Sequence, residues 1–170
     1  QISFGQGLGV VPLSFASAVA AIVNGGYLIE PTLYLRDKSY KTNAKLITSD
    51  VSKSMRYVMR EVVKNGSGKK ADVDGYNVIG KTGTADKPCI TGGYCGRMTS
   101  FVGAFPGNDP EYVVLVSLDN PKGKKGVRGS SAYWNAAPAA GEVIKLIAPQ
   151  LNIPIQNNFN VFQEHARADN

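Results

Sequence analysis

The sequence predicts an α+β chain, and three observations carry that prediction. Apolar residues recur at helical spacing in two stretches near the start and one near the end. Three short runs rich in β-branched, aromatic and glycine residues lie between them. The last two runs are joined by Pro106-Gly107-Asn108-Asp109-Pro110, a turn that makes them a hairpin. At 170 residues and 43% hydrophobic composition, the chain has enough apolar material for one core.

Residues 1–11 are a glycine-rich entry loop. Gly5-Gln6-Gly7-Leu8-Gly9 resembles a dinucleotide fingerprint only superficially, because Val10 stands where the third glycine belongs and no full strand precedes it. Pro12 suits the first position of a helix. The run to Asn24 is apolar on almost every face, which predicts a buried helix stopped by Gly25-Gly26. A short extended piece is expected over Tyr27–Leu35. Thr48 or Ser49 caps a second helix that carries Val51, Met55, Val58, Met59, Val62 and Val63 and ends near Lys64.

Gly66–Asp74 reads as a polar loop, and strands are expected over Tyr76–Thr84, Thr99–Phe105 and Tyr112–Leu118. Residues 121–131 form a second, basic loop. A last helix begins near Pro138 and stops before Pro149. Residues 152–170, rich in Asn, are expected to form a poorly ordered tail, so the folded part is placed at residues 1–151.

Composition narrows the chemistry. The net charge of +6 would favour anionic partners such as carboxylates or an acidic membrane surface, and it equally suits an ordinary solubility charge. With 9% aromatics and no dense basic stripe, nucleic-acid binding has little support. His165 is the only histidine and sits in the polar tail, which argues against a Ser-His or Cys-His pair. Cys89 and Cys95 are spaced too widely for a Cys-x-x-Cys and lack a second pair for zinc. In an oxidising compartment they could close a small loop, worth about 2 kcal/mol. No metal or organic cofactor is implied. No stretch is long and apolar enough to span a membrane, and Gln1 does not open a signal peptide, so the chain reads as a piece of something longer.

The chemistry concentrates at Gly80-Lys81-Thr82-Gly83-Thr84. Gly75 through Thr82 matches the phosphate-loop pattern G-x-x-x-x-G-K-T letter for letter, and Val113–Asp119 looks like an acidic strand end for magnesium. A phosphate loop needs an apolar strand before its first glycine and a helix directly after its threonine. Here Lys69-Lys70-Ala71-Asp72-Val73-Asp74 precede, and Gly83, Pro88, Gly92 and Gly93 follow. Nucleotide binding is therefore set aside. A simple hairpin-loop lysine is the bland alternative.

A third alternative gives each residue a task. A fixed ammonium can move a proton and offset developing negative charge, while threonine hydroxyls can bind a carboxylate. Glycine leaves room for a substrate backbone, and the next N–H can serve an oxyanion hole. Lys-Thr-Gly on a strand is one of three signatures of penicillin-recognising serine acyl-transferases; the others are Ser-x-x-Lys and Ser-x-Asn. Ser-x-Asn occurs nowhere in the chain. Its one Ser-x-x-Lys, Ser67-Gly68-Lys69-Lys70, is flanked by glycines and reads as loop rather than as the helical turn that a nucleophile needs.

The flanking residues decide among these. Phe4-Gly5-Gln6-Gly7 followed by the Pro12 helix and Asn24-Gly25-Gly26 resembles the stretch after Ser-x-Asn in penicillin-binding proteins. Gly66–Ala71 leading into Val78-Ile79-Gly80-Lys81-Thr82-Gly83-Thr84-Ala85 resembles their approach to the third motif. Ser100–Pro106 and Trp134-Asn135-Ala136-Ala137-Pro138 look like the strand and closing helix of class B members devoted to cell division. The resemblance covers about residues 1–150 and departs at Val11, where the family has Thr; that touches a helix cap.

The resemblance implies an antiparallel sheet flanked by helices, of which this chain supplies the last three strands. It implies the C-terminal part of a D,D-transpeptidase that cross-links peptidoglycan stem peptides and is acylated by β-lactams. Lys81 would stand near the nucleophile, Thr82 and Thr84 would hold the substrate carboxylate beside Gly83, and the Thr84 N–H would serve the oxyanion hole. Tyr133 and Trp134 would rim the cleft, with core packing of Trp134 as the alternative. Further implications are the rest of the parent chain and cell-division proteins as partners, and a place on the periplasmic face of the inner membrane through an anchor absent here. A non-catalytic binding fragment and a β-lactamase or D,D-carboxypeptidase relative are the rival readings.

Overall fold

The computed structural model describes residues 5–35, 44–123 and 130–162. Helix α1 covers Pro12–Val23, α2 covers Ser49–Asn65 and α3 covers Ala136–Ile147. Strands β1 (Ile79–Pro88), β2 (Tyr94–Phe105) and β3 (Tyr112–Asp119) form an antiparallel sheet in the order β1-β2-β3. The α+β class and the antiparallel sheet flanked by helices are as expected.

Alternation along the strands divides the core into two layers. Phe101 and Phe105 of β2 and Val114, Val116 and Leu118 of β3 face α3, where Ala137, Ala140 and Ile144 are fully buried. Val102 and Ala104, with Val113 and Leu115, face the opposite way onto Val19 and Val23 of α1 and Met59 of α2. The sheet is thus the middle of three layers, and β1 and β3 are its two edges among the described residues.

Helix α2 starts as expected, with the Thr48 hydroxyl accepting the Val51 N–H at 3.3 Å. Helix α1 has no side-chain cap at Val11, consistent with Val standing where the family has Thr. The expectation that α1 is buried is corrected. Val19, Ala21 and Val23 are covered, while Leu13 and Phe15 face outward. An all-apolar helix needs protein on every side, and the layer beneath the sheet covers only one.

The short extended piece at Tyr27–Leu35 makes a single bridge, Tyr27 to Lys45. Two further expectations change. Strand β1 begins at Ile79 rather than Tyr76, because Gly75 and Asn77 adopt positive φ of 84° and 46° and turn the chain. β1 and β2 also extend well past the positions expected, forming a long hairpin closed by a disulfide between Cys89 and Cys95, Cα atoms 5.4 Å apart.

Residues 152–162, expected to trail off, pack along the body. The Gln156 N–H donates to Gly75 O at 2.7 Å, and the Asn77 amide donates to the carbonyls of Gln156 and Asn158. Asn108 donates to Asn158 O and accepts the Asn160 N–H. Ile153 and Val161 are buried, and Phe159 packs on the second core layer. Polar composition concealed this strap, because its backbone groups are satisfied by the side chains of Asn77 and Asn108 in distant loops rather than by water. His165 and residues 163–170 lie outside the described residues. Beside the strap, burial pulls the Arg56 guanidinium below its ordinary pKa and the charge of Asp109 acts against that pull.

Candidate active site

All four motif residues fall on β1, an edge strand among the described residues, so the motif has one side paired and one side open. The register places Lys81 opposite Val102, Thr82 opposite Phe101, Gly83 opposite Ser100 and Thr84 opposite Thr99. Antiparallel pairs alternate between bonded and non-bonded, and the Asn120 N–H donating to Arg97 O at 2.8 Å sets the phase on β2. Odd-numbered β2 residues turn their backbone toward β3, and even-numbered ones toward β1. Lys81 and Gly83 therefore bond into the sheet, while the backbone groups of Thr82 and Thr84 point to the open edge. The Thr84 N–H is thus available to an incoming acceptor, as an oxyanion-hole donor must be.

Side chains divide by the same alternation. Lys81 and Gly83 lie on the α1–α2 face. Lys81 Nζ donates to Thr82 O at 2.9 Å, curling round to the open edge. Beside it opens an apolar cavity of 450 Å³ lined by Phe15, Val19, Met55, Met59, Val102 and the motif strand. Thr82 and Thr84 lie on the opposite face, and each hydroxyl is engaged by a residue distant in sequence. Thr82 Oγ1 is 2.6 Å from Ser67 Oγ, and Thr84 Oγ1 accepts the Ala132 N–H at 3.1 Å.

Gly80 answers the phosphate-loop question. A Cβ at Gly80 would lie 2.4 Å from Phe101 Cζ, and one at Gly103, directly opposite, 2.7 Å from Phe101 Cε1. The Phe101 ring lies across this glycine pair. Gly75 serves the turn at positive φ, Gly80 serves the ring, and the chain continues after Thr82 as strand rather than helix. The pattern G-x-x-x-x-G-K-T has its own packing cause.

Ser67-Gly68-Lys69-Lys70 is a turn running into a short 3₁₀ segment at Lys69–Ala71, as its glycines predict. Lys70 does not serve as a base for Ser67. Its ammonium lies 3.7 Å from the Trp134 ring centroid and 4.9 Å from that of Tyr133, a cation–π stack on the turn at Ala132–Trp134. Trp134 is 42% exposed, so the core-packing alternative for it is set aside. Residues 124–129 of the basic loop lie outside the described residues. Farther along β1, Asp86 pairs with Arg97, which also donates to Ser130 at 3.4 Å, and Lys87 pairs with Asp119. Among the described residues no cluster of His, Cys, Asp or Glu could hold a metal, and no helix is long and apolar enough to cross a membrane.

Residues 1–143 match the model of the penicillin-binding protein transpeptidase domain. The chain belongs to that family. It is 36% identical to stage V sporulation protein D of Bacillus subtilis over 92% of its length. It is 39% identical to a probable peptidoglycan D,D-transpeptidase FtsI of Caulobacter vibrioides over 89%. The chain spans 25% and 28% of those two relatives. Among solved structures, the transpeptidase domain of Burkholderia pseudomallei penicillin-binding protein 3 superposes with a TM-score of 0.80 at 30% identity. That match covers 91% of this chain and 46% of that one. Penicillin-binding protein 3 of Mycobacterium tuberculosis, complexed with aztreonam, gives 0.75 at 26% identity, covering 92% of this chain and 38% of that one. The class B resemblance seen in the flanking residues is thereby established.

Sequence reasoning singled out Lys81, Thr82, Gly83 and Thr84, which lie side by side on β1, but did not foresee the contacts made to the threonine hydroxyls by Ser67 and Ala132. The signal for Ser67 was available: a lone hydroxyl between two glycines, in a loop that must approach the motif strand.

Proposed function

We propose that this chain is the C-terminal part of a serine D,D-transpeptidase that cross-links peptidoglycan stem peptides and is acylated by β-lactams. The reading rests on one observation above the others: the Lys-Thr-Gly-Thr strand has an open edge, with an ammonium on one face and two hydroxyls on the other. A substrate peptide laid along that edge would add as a further strand. Its carboxylate would meet the hydroxyls of Thr82 and Thr84, and the N–H of Thr84 would face its scissile carbonyl. Glycine at 83 removes the side chain that would hold the peptide away.

In this reading the nucleophilic serine and its Ser-x-x-Lys helix come from the parent chain upstream, above the apolar cavity that Lys81 borders. The serine attacks the D-Ala-D-Ala amide, D-Ala departs, and an amine from a neighbouring strand resolves the acyl-enzyme. Lys81 lends positive charge as the tetrahedral anion forms. Tyr133 and Trp134 border the cleft at its Thr84 end. The parent acts at the periplasmic face of the inner membrane, held by an N-terminal anchor and working with cell-division proteins.

The isolated chain is expected to be catalytically silent. Its one Ser-x-x-Lys lies in a turn, with Lys70 held over Trp134, which favours a binding role for this piece by itself. The deciding experiment is acylation of the full-length parent by a fluorescent penicillin, with and without Lys81→Ala. Loss of one charge-stabilising donor predicts a fall of about 100-fold or more. An undiminished rate would reduce Lys81 to a structural residue. Label on Ser67 of the isolated chain would overturn the assignment of the nucleophile.

A further inference from the structure

The two motif threonines share a feature that neither the motif nor the family match contains. Each hydroxyl oxygen has a hydrogen-bond partner elsewhere in this chain. For Thr84 that partner is the Ala132 N–H, a backbone donor that cannot reverse its role, at 3.1 Å. The Thr84 oxygen must accept, so its proton is free to point outward. For Thr82 the partner is Ser67 Oγ at 2.6 Å, and either hydroxyl can donate. A hydroxyl has one proton to give and two lone pairs to fill. When an anion sits at the open edge, Thr82 can donate to it only if Ser67 donates to Thr82.

We infer that Ser67 is a positioning residue for carboxylate recognition, donating to Thr82 Oγ1 so that the Thr82 proton turns to the ligand. The inference rests on the transpeptidase reading and names a residue outside its three signatures. The turn is built to hold Ser67 in place. The N–H groups of Gly66 and Gly68 both donate to Val62 O at the end of α2, and Lys69 N–H donates to Gly66 O. A Cβ at Gly66 would lie 2.9 Å from Val62 O, and one at Gly68 3.1 Å from Val63 Cγ2, so the serine is set between two positions where only glycine fits closely. A donor bonded to another donor is also polarised, which strengthens its bond to an anion. The Ser67 hydroxyl thus does for Thr82 what a backbone amide does for Thr84.

The test uses the full-length parent and two probes, benzylpenicillin and its methyl ester, which differ in the carboxylate. With Ser67→Ala we expect acylation by the free acid to fall about tenfold, the scale of one hydrogen bond to a charged group, and acylation by the ester to change less than about twofold. Ser67→Thr, which keeps the hydroxyl, should restore the preference for the acid. Thermal melts of both variants report whether the turn has stayed folded. Equal losses with acid and ester, or no loss with either, would overturn the role of Ser67 while leaving the transpeptidase reading intact. Acylation unaffected by Lys81→Ala in the same assay would instead remove the reading on which it rests.

Discussion

The backbone N–H of Ala132 donates to the side chain of Thr84 at 3.1 Å, tying the turn before α3 to the motif strand across 48 residues of sequence. Ala132 is itself buried, so the bond satisfies a donor that water cannot reach. Thr84→Val should leave that donor unpaired and lower stability by about 1–3 kcal/mol. Hydrogen exchange at the Ala132 amide should accelerate, while Thr84→Ser should keep the native rate. Unchanged exchange in the valine variant would show that the bond does not hold the turn.

Gly80 is predicted to tolerate no side chain. A Cβ there would come within 2.4 Å of Phe101 and 2.7 Å of Val102 O, and both neighbours are buried in the sheet. Gly80→Ala should therefore cost about 2–3 kcal/mol in urea unfolding, the usual penalty of overpacking. Pairing it with Phe101→Leu should recover part of the loss, because the clash is shared between contacting residues. Strict additivity of the two changes would argue against the ring lying over the glycine.

Removal of the strap tests its packing directly. A chain ended after Leu151 loses the buried side chains of Ile153 and Val161 and the contact of Phe159 with the second core layer. It also frees the Gly75 and Asn108 groups that the strap satisfies. A loss of about 3 kcal/mol or more is expected from two or three buried apolar side chains, read as a fall in the thermal midpoint. A midpoint within a degree of the full chain would mean that the strap only rests on the surface.

The outer edge of β3 should make the isolated chain associate. Val113, Val114, Leu115 and Val116 form an apolar edge with no partner strand among the described residues, and Leu13 and Phe15 of α1 are exposed nearby in sequence to the cavity wall. Unpaired edges and uncovered apolar faces favour strand addition and aggregation. Sedimentation should show mass rising with concentration, or capture by the remainder of the parent chain. A clean monomer at high concentration would sink this expectation.

Much of this protein was legible without coordinates. Helical spacing located α2, Pro12 and Gly25-Gly26 bounded the apolar run of α1, and β-branched and aromatic runs between turn residues located the three strands. The motif Lys81–Thr84 stood out for a different reason: its flanks from Gly66 to Ala85 and from Ser100 to Pro106 resemble those of penicillin-binding proteins, in keeping with the family match over residues 1–143. The cysteines at 89 and 95 allowed a closed loop but could not say that β1 and β2 would run on to meet it.

Tertiary structure decided what depends on partners distant along the chain. The Asn-rich strap looked like tail because what holds it is its backbone, bonded to Gly75 O and to the side chains of Asn77 and Asn108, contacts that composition cannot register. Flanking residues had already set the phosphate loop aside, but why a glycine stands at 80 became clear only from the Phe101 ring lying across it. Ser67 and Ala132 entered the site only because a loop and a turn far apart in sequence reach the same face of one edge strand. Local sequence dictates which backbone shapes are cheap, whereas the direction of a hydroxyl's single proton depends on which donor the fold brings to it.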